Sequence, residues 1–169
     1  MPFRVPWTDN ADAPDFVEQF VAHHLELRRA WQVDNWMLLL GVWAEGQPAG
    51  AQDLRAEQFG STREVESGSW LGERFQGRGY GTEMRAAVLE LAFLGLGAVA
   101  ANSGAMVGNV ASARVSEKLG YIDSGEKYVE PRGVPIREQC FRLERDRWLE
   151  RERIAVEIVG LEPCLSLFS

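Results

Sequence analysis

"RFQGRGYGTEM", Arg74 to Met84, sets glycines at positions 77, 79 and 81 immediately ahead of a stretch whose apolar residues recur at helical spacing. Glycine is a poor helix former, but it takes positive φ and leaves no Cβ in the way. One or two glycines suffice for a turn. Three predict a sharp turn combined with close approach of backbone to something else.

The segments on either side say what the loop connects. Upstream, a strand is predicted from about Arg63 to Leu71; downstream, a helix runs from Tyr80 to about Leu94, with Met84, Val88 and Leu91 on one stripe and Leu89 and Phe93 on another. The loop therefore joins strand to helix. In that context the amides of the first helical turn lack partners and the helix dipole is positive, so an anion can sit on them. Arg74 and Arg78 flank the loop and add charge.

Other glycine-loop readings fit less well. G-x-G-x-x-G fails because Thr82 stands where the third glycine belongs, and no βαβ unit with a downstream ribose-binding acid follows. No Gly-Lys-Ser/Thr completes a Walker loop. "GLGAVA", Gly95 to Ala100, imitates a dinucleotide motif but follows a helix and precedes a strand, so it reads as a helix stop.

Further out, Asp15 to about Trp31 predicts a helix through Phe16, Phe20, Leu27 and Trp31, with Asp15 and Glu18 at capping-box spacing. "NWMLLLGVWA", Asn35 to Ala44, and the segment after "EGQ" predict a hairpin. A strand is predicted near Ala98 to Ser103, then a helix capped by Asn109, with Ala111, Val115 and Leu119 in register and Gly120 just past its end. "YIDSGEKYVEPRGVPIREQCFRLE" predicts two strands about a Pro-Arg-Gly turn, and "RDRWLERER" a short charged helix. The apolar tail, Ile154 to Phe168, fits either a last strand or an interface. The order predicts one mixed α/β domain of the α+β type, residues 1–169, with mostly antiparallel strands.

Composition narrows the class. With 169 residues, 46% hydrophobic and 25% charged, the chain has the make-up of one ordinary globular domain. No apolar run approaches the ~20 residues of a membrane helix, and "MPFRVPWTDN" lacks the parts of a secretory signal, so a cytoplasmic protein without a membrane partner is expected. A net charge of -7 disfavours nucleic acid and is compatible with an amine substrate. Cys140 and Cys164 form no CxxC and have no histidine at ligand spacing, and the adjacent His23 and His24 point apart on their helix; no metal site is expected.

Gln76, Gly79 and Gly81 fit Q/R-x-x-G-x-G/A, which resembles the acetyl-CoA loop of the GNAT superfamily of acyltransferases. "GSWLGERFQGRGYGTEMRAAVLELAF" is similar to the strand, loop and helix of the RimJ/RimL-like branch. "NVASARVSEKLGY", Asn109 to Tyr121, is similar to that branch's second signature, Asn-x-x-Ser followed by Lys-Leu-Gly-aromatic. The resemblance spans about 35–148 and implies a GNAT-like, mostly antiparallel twisted sheet flanked by helices. The chain is expected to open at "MPFRVPW", past the family's usual first strand, and an uncovered sheet edge predicts either a homodimer or poor solubility.

The implied activity is transfer of acetyl from acetyl-CoA to a primary amine by direct attack on the thioester. The alternative is a truncated, catalytically weak acyl-CoA-binding or sensor module. The diphosphate is expected on Gln76, Gly77, Arg78, Gly79, Tyr80, Gly81 and Thr82, and the pantetheine arm along the backbone of Trp70, Leu71 and Gly72, with Asn109 and Ser112 also contacting the cofactor. Ser112 and Ser116 lie four apart on one helical face, beside the departing thiolate; Ser116 falls where many members place a tyrosine acid, and a serine there hydrogen-bonds sulfur or relays through water. Glu64, Glu66 and Trp70 share a strand face, and Glu66 is the preferred base.

Overall fold

The structure, a computed structural model, describes residues 9–168. Its elements follow in the order α1 (Phe16–Arg29), β1 (Trp36–Ala44), β2 (Gln47–Ala56), α2 (Phe59–Thr62), β3 (Glu64–Leu71), α3 (Tyr80–Glu90), β4 (Ala100–Met106), α4 (Val110–Lys118), β5 (Ile122–Val129), β6 (Ile136–Glu144) and α5 (Arg145–Leu149). Six strands form one sheet in the order β1-β2-β3-β4-β6-β5, and each neighbouring pair is antiparallel except β3 and β4. That exception has a cause. The loop and α3 carry the chain across the sheet, and only such a crossover brings two strands together in parallel. The predicted mixed, mostly antiparallel sheet with flanking helices is the fold observed.

Strand alternation sorts the two faces. On β2, Gln52, Leu54 and Ala56 are buried toward α3, where Leu54, Val65, Leu89, Phe93, Phe141 and Leu143 make the centre of the core. Ala51, Asp53 and Arg55 face the opposite way, toward α1. The α3 helix ends differently from its sequence pattern. After Glu90 the turn Leu91–Gly95 widens to π geometry, the Leu96 amide donates to Leu91 O at 2.9 Å, and Gly97 at φ +72° ends it. At Gly95 a Cβ would lie 2.6 Å from Leu161 Cδ2, so that glycine marks where the tail crosses.

The tail is neither strand nor bare interface. Residues 154–160 run without regular structure into a 3-10 turn, Glu162–Leu167, and Phe168 enters the core edge-on against the stacked rings of Trp31 and Trp36. Arg153 and Trp148 both donate to the buried Glu90 carboxylate, at 2.8 and 3.1 Å, which holds the tail's start to α3. The expectation of a missing first strand falls on residues 1–8, outside the described residues. Among the described residues no helix is long and apolar enough to cross a membrane.

A charged cluster ties β3, β4 and β6 together on the α1 side. Arg142 binds both Glu64 oxygens at 2.8 Å, and Asn102 donates to Glu64 at 3.0 Å. The Arg142 guanidinium, helped by Asn102 and opposed by burial, holds the Glu64 carboxyl below its ordinary 4.5. Its stabilisation is therefore fully present above about pH 4.5 and drains away as pH falls through the depressed value. Glu64 is 36% exposed, so solvent screening limits the effect to under about 1 kcal/mol. Glu64→Gln is expected to unfold at lower urea than the parent at pH 7, with the two midpoints converging in acid; parallel curves would show that Arg142 does not hold the carboxylate.

Candidate active site

The site is built where β3 and β4 part. Their parallel pairing ends at Ser67 and Ser103; beyond it Gly68 to Leu71 pair only with β2, and Gly104 to Met106 only with β6. The opening is a V between two strands. Arg85 of α3, 3% exposed, bridges it from beneath, donating to Ser103 Oγ at 2.8 Å and Ser69 Oγ at 3.3 Å, one on each side.

Antiparallel alternation decides which backbone groups look into the V. The Gly72 amide donates to Ala49 O at 2.9 Å, so Gly72 and Trp70 turn their backbone toward β2. Leu71 and Ser69 face the opening. Of Trp70, Leu71 and Gly72, all expected along the pantetheine arm, only Leu71 thus turns its backbone groups to the opening, a correction for Trp70 and Gly72. The Leu71 carbonyl accepts from Gln76 Nε2 at 2.9 Å. Gln76 is corrected as well: its own amide is spent on Glu73 O at 3.0 Å, so its part in the loop is to hold Leu71 with its side chain.

The glycine loop runs from the tip of this V. Gly77 at φ +71° and Gly79 at φ +90° adopt the left-handed conformation that glycine takes without strain, and a Cβ at either would meet nothing within 4 Å. Gly81 differs: its φ is ordinary, and a Cβ would make normal contact with Leu71 and Val115 at 3.7 Å. Thr82 and Glu83 donate to Gly79 O at 2.9 and 3.1 Å. Among the described residues the amides of Gly77, Gly79, Tyr80 and Gly81 have no carbonyl acceptor. Arg78 turns aside to pair with Glu45, stacking over Tyr80 at 5.2 Å, and Tyr80 Oη donates to the same carboxylate at 3.1 Å.

On the α1 face the V opens into a cavity of about 540 Å³. Phe16, Phe20 and Leu27 roof it, Met37 and Leu39 wall one side, and Asn109 and Ser112 close the far end. Asn109 Oδ1 caps α4 by accepting the Ser112 amide at 3.2 Å, as the sequence predicted for this helix start. Glu66 and Trp70 line the cavity together; Glu66 is ion-paired with Arg55 at 2.7 Å. Ser116 does not join them. It is fully buried and donates to Ser112 O at 3.4 Å, because the fourth residue along turns back onto the helix rather than into the cavity. Glu64, consumed by Arg142, stands outside the lining too.

Three polar residues that sequence reasoning passed over line the same cavity, Asp53, Arg85 and Glu138, and so do both His23 and His24, which were expected to point apart but have ring centroids 5.7 Å from each other. Glu138 is 1% exposed, with Lys127 Nζ at 3.6 Å from its carboxylate. Burial and then His23 push His24 below its ordinary value. Burial pushes the Asp53 carboxyl up, opposed by Arg55, the Gly68 amide and Arg85. The signal for Asp53 was the alternation in "GAQDLRA", which puts it on the face opposite Leu54; the strand register needed to place it by the V is not in that segment. Among the described residues no group of three or more His, Cys, Asp or Glu is arranged to hold a metal ion.

Comparison with known proteins bears on this geometry. Residues 1–122 match the family model described as Acetyltransferase (GNAT) domain. RimJ of Mycobacterium smegmatis, solved in complex with CoA-disulfide, superposes with a TM-score of 0.71 at 19% identity over 80% of this chain and 65% of that one. Spermidine N-acetyltransferase from Vibrio cholerae, solved with CoA and spermine, gives 0.65 at 14% identity over 80% and 78%. A probable acetyltransferase gives 0.66 at 20% identity over 79% and 74%.

Proposed function

The chain belongs to the GNAT acetyltransferase family, and from that premise we propose that it transfers the acetyl group of acetyl-CoA to a primary amine held under α1. The observation that carries this reading is the meeting of two spaces at one opening: unpartnered amides at Gly77 to Gly81 on one side of the V, and the polar cavity on the other. Each takes one half of the reaction.

The diphosphate of CoA sits on the loop amides, where the positive end of α3 and charge-assisted hydrogen bonds favour it. Its pantetheine arm lies in the V against the outward backbone of Leu71 and Ser69, and an amide there meets the developing oxyanion of the thioester. Ser112 and Asn109, at the far end, stand by the departing sulfur; Ser112 hydrogen-bonds it. The amine enters beneath Phe16 and Phe20, among Asp53, Glu66 and Glu138, whose carboxylates suit a cationic acceptor. Membership of the RimJ/RimL-like branch, supported by the two signatures and by the RimJ superposition, is part of the proposal, as is a polyamine or peptide N-terminus as acceptor.

A rise in Tm with acetyl-CoA, together with release of thiol on a panel of peptide N-termini, polyamines and aminoglycosides, is the expected result. A Tm rise without thiol release from any amine would favour the sensor reading, for which the Arg55–Glu66 ion pair speaks. No Tm rise would refute both.

A further inference from the structure

We infer that Asp53 takes the proton from the acceptor ammonium. This rests on the transferase reading and names the group that prepares the nucleophile. Asp53 lies opposite Gly68 in the β2–β3 register, and Gly68 is the first β3 residue beyond the last pair with β4. A Cβ on Gly68 would stand 2.5 Å from Asp53 Oδ2 and 2.9 Å from Oδ1. The missing methyl is the space the carboxylate occupies. Gly68 is not at positive φ, so its lack of a side chain serves this contact and not a turn. The carboxylate therefore lies over β3 at the point where the V begins, with Gly104 lining the other strand.

The other cavity carboxylates are differently engaged. Glu66 sits where β3 is still paired with β4, and Arg55 holds it at 2.7 Å. Glu138, on β6, lies opposite Met106 near the end of β4. The charged and titratable groups facing Asp53 are Arg55 on its own strand, Glu66 on β3, Arg85 beneath, His23 and His24 on α1, and Glu138 on β6. Burial raises its proton affinity, which suits a base that must compete for an ammonium proton, while Arg55 and Arg85 pull the other way.

The step balances. The ammonium gives one proton to Asp53, which passes it to water at the cavity mouth. The neutral nitrogen then bonds to the thioester carbon as the C–S bond breaks. The second proton lost by nitrogen neutralises the thiolate, and amide and thiol leave.

The test compares parent, Asp53→Asn, Gly68→Ala and Glu66→Gln, first for the acetyl-CoA Tm rise and then for kcat/KM against pH by thiol release. Asp53→Asn is expected to keep the Tm rise, to lose about 100-fold or more in kcat/KM, and to lose the acid limb of the profile. Since burial makes the ionised carboxyl unfavourable, the intrinsic Tm at neutral pH should hold or increase, which damage to the fold would not produce. Gly68→Ala displaces the same carboxylate without removing it and should cause the same kinetic loss, so the inference stays testable if Asp53→Asn folds poorly. A kcat/KM within about threefold of the parent, or an acid limb that vanishes with Glu66→Gln instead, would overturn Asp53 and leave the transferase reading standing. Failure of the parent to bind acetyl-CoA, visible before any variant is compared, would remove both.

Discussion

Gly79→Val abolishes the acetyl-CoA-dependent rise in Tm. At φ +90° a β-branched residue is strained by about 1–3 kcal/mol, and the loop relieves that strain by rotating the peptide planes that aim the amides of Gly79 and Tyr80 outward. Each charge-assisted hydrogen bond lost is worth about 1.5–3 kcal/mol, so losing two weakens binding by about a hundredfold or more. Side-chain room is not the cause, because a Cβ at Gly79 would touch nothing within 4 Å. Gly81→Ala provides the contrast: its φ is ordinary and its new methyl would rest on Leu71 and Val115 at 3.7 Å, so its Tm rise should survive. A rise retained by Gly79→Val would place the diphosphate somewhere else.

Phe168→Ala costs about 3–5 kcal/mol of stability, a large share of the ~5–15 kcal/mol that a domain usually has. Phe168 is 5% exposed and meets Trp31 edge-on at 5.2 Å and Trp36 at 4.9 Å. Its removal leaves a cavity among aromatic rings held in place from several directions: Trp31 donates to Leu167 O at 2.9 Å, and Trp36 meets Phe59 at 5.3 Å. Neither tryptophan can collapse into the gap without giving up one of those contacts. Trp31 follows α1, so the roof of the cavity should loosen as well, and peptide amides of Phe16–Arg29 should exchange faster. Urea unfolding measures the first effect and hydrogen exchange the second. A loss below about 1 kcal/mol would mean that the tail contributes little to the core.

What the sequence determined was the part governed by neighbours along the chain. The glycines at 77 and 79, the Asn109 cap and Gly120 at φ +87° each answer a backbone demand a few residues away, and they are where the spacing put them. The strand-to-helix order around the loop was legible too, but the parallel pairing of β3 with β4 that follows from it emerged only in the sheet. The same local logic failed at Ser116, where equal spacing on a helix face said nothing about whether that position meets the cavity or the core. It failed at Gln76 and Gly72, whose amides found nearby acceptors, and at the tail, whose apolar residues pack on α3 and against two stacked tryptophans.

Tertiary structure alone decided which acids share the cavity. Asp53 and Gly68 are adjacent only through the register of two strands, and Arg85 reaches Ser69 and Ser103 only because those strands separate above it. The proton affinity of a carboxylate depends on burial and on charges brought near from distant parts of the chain. Backbone geometry answers to adjacent residues, whereas an electrostatic environment comes into being only when the sheet closes.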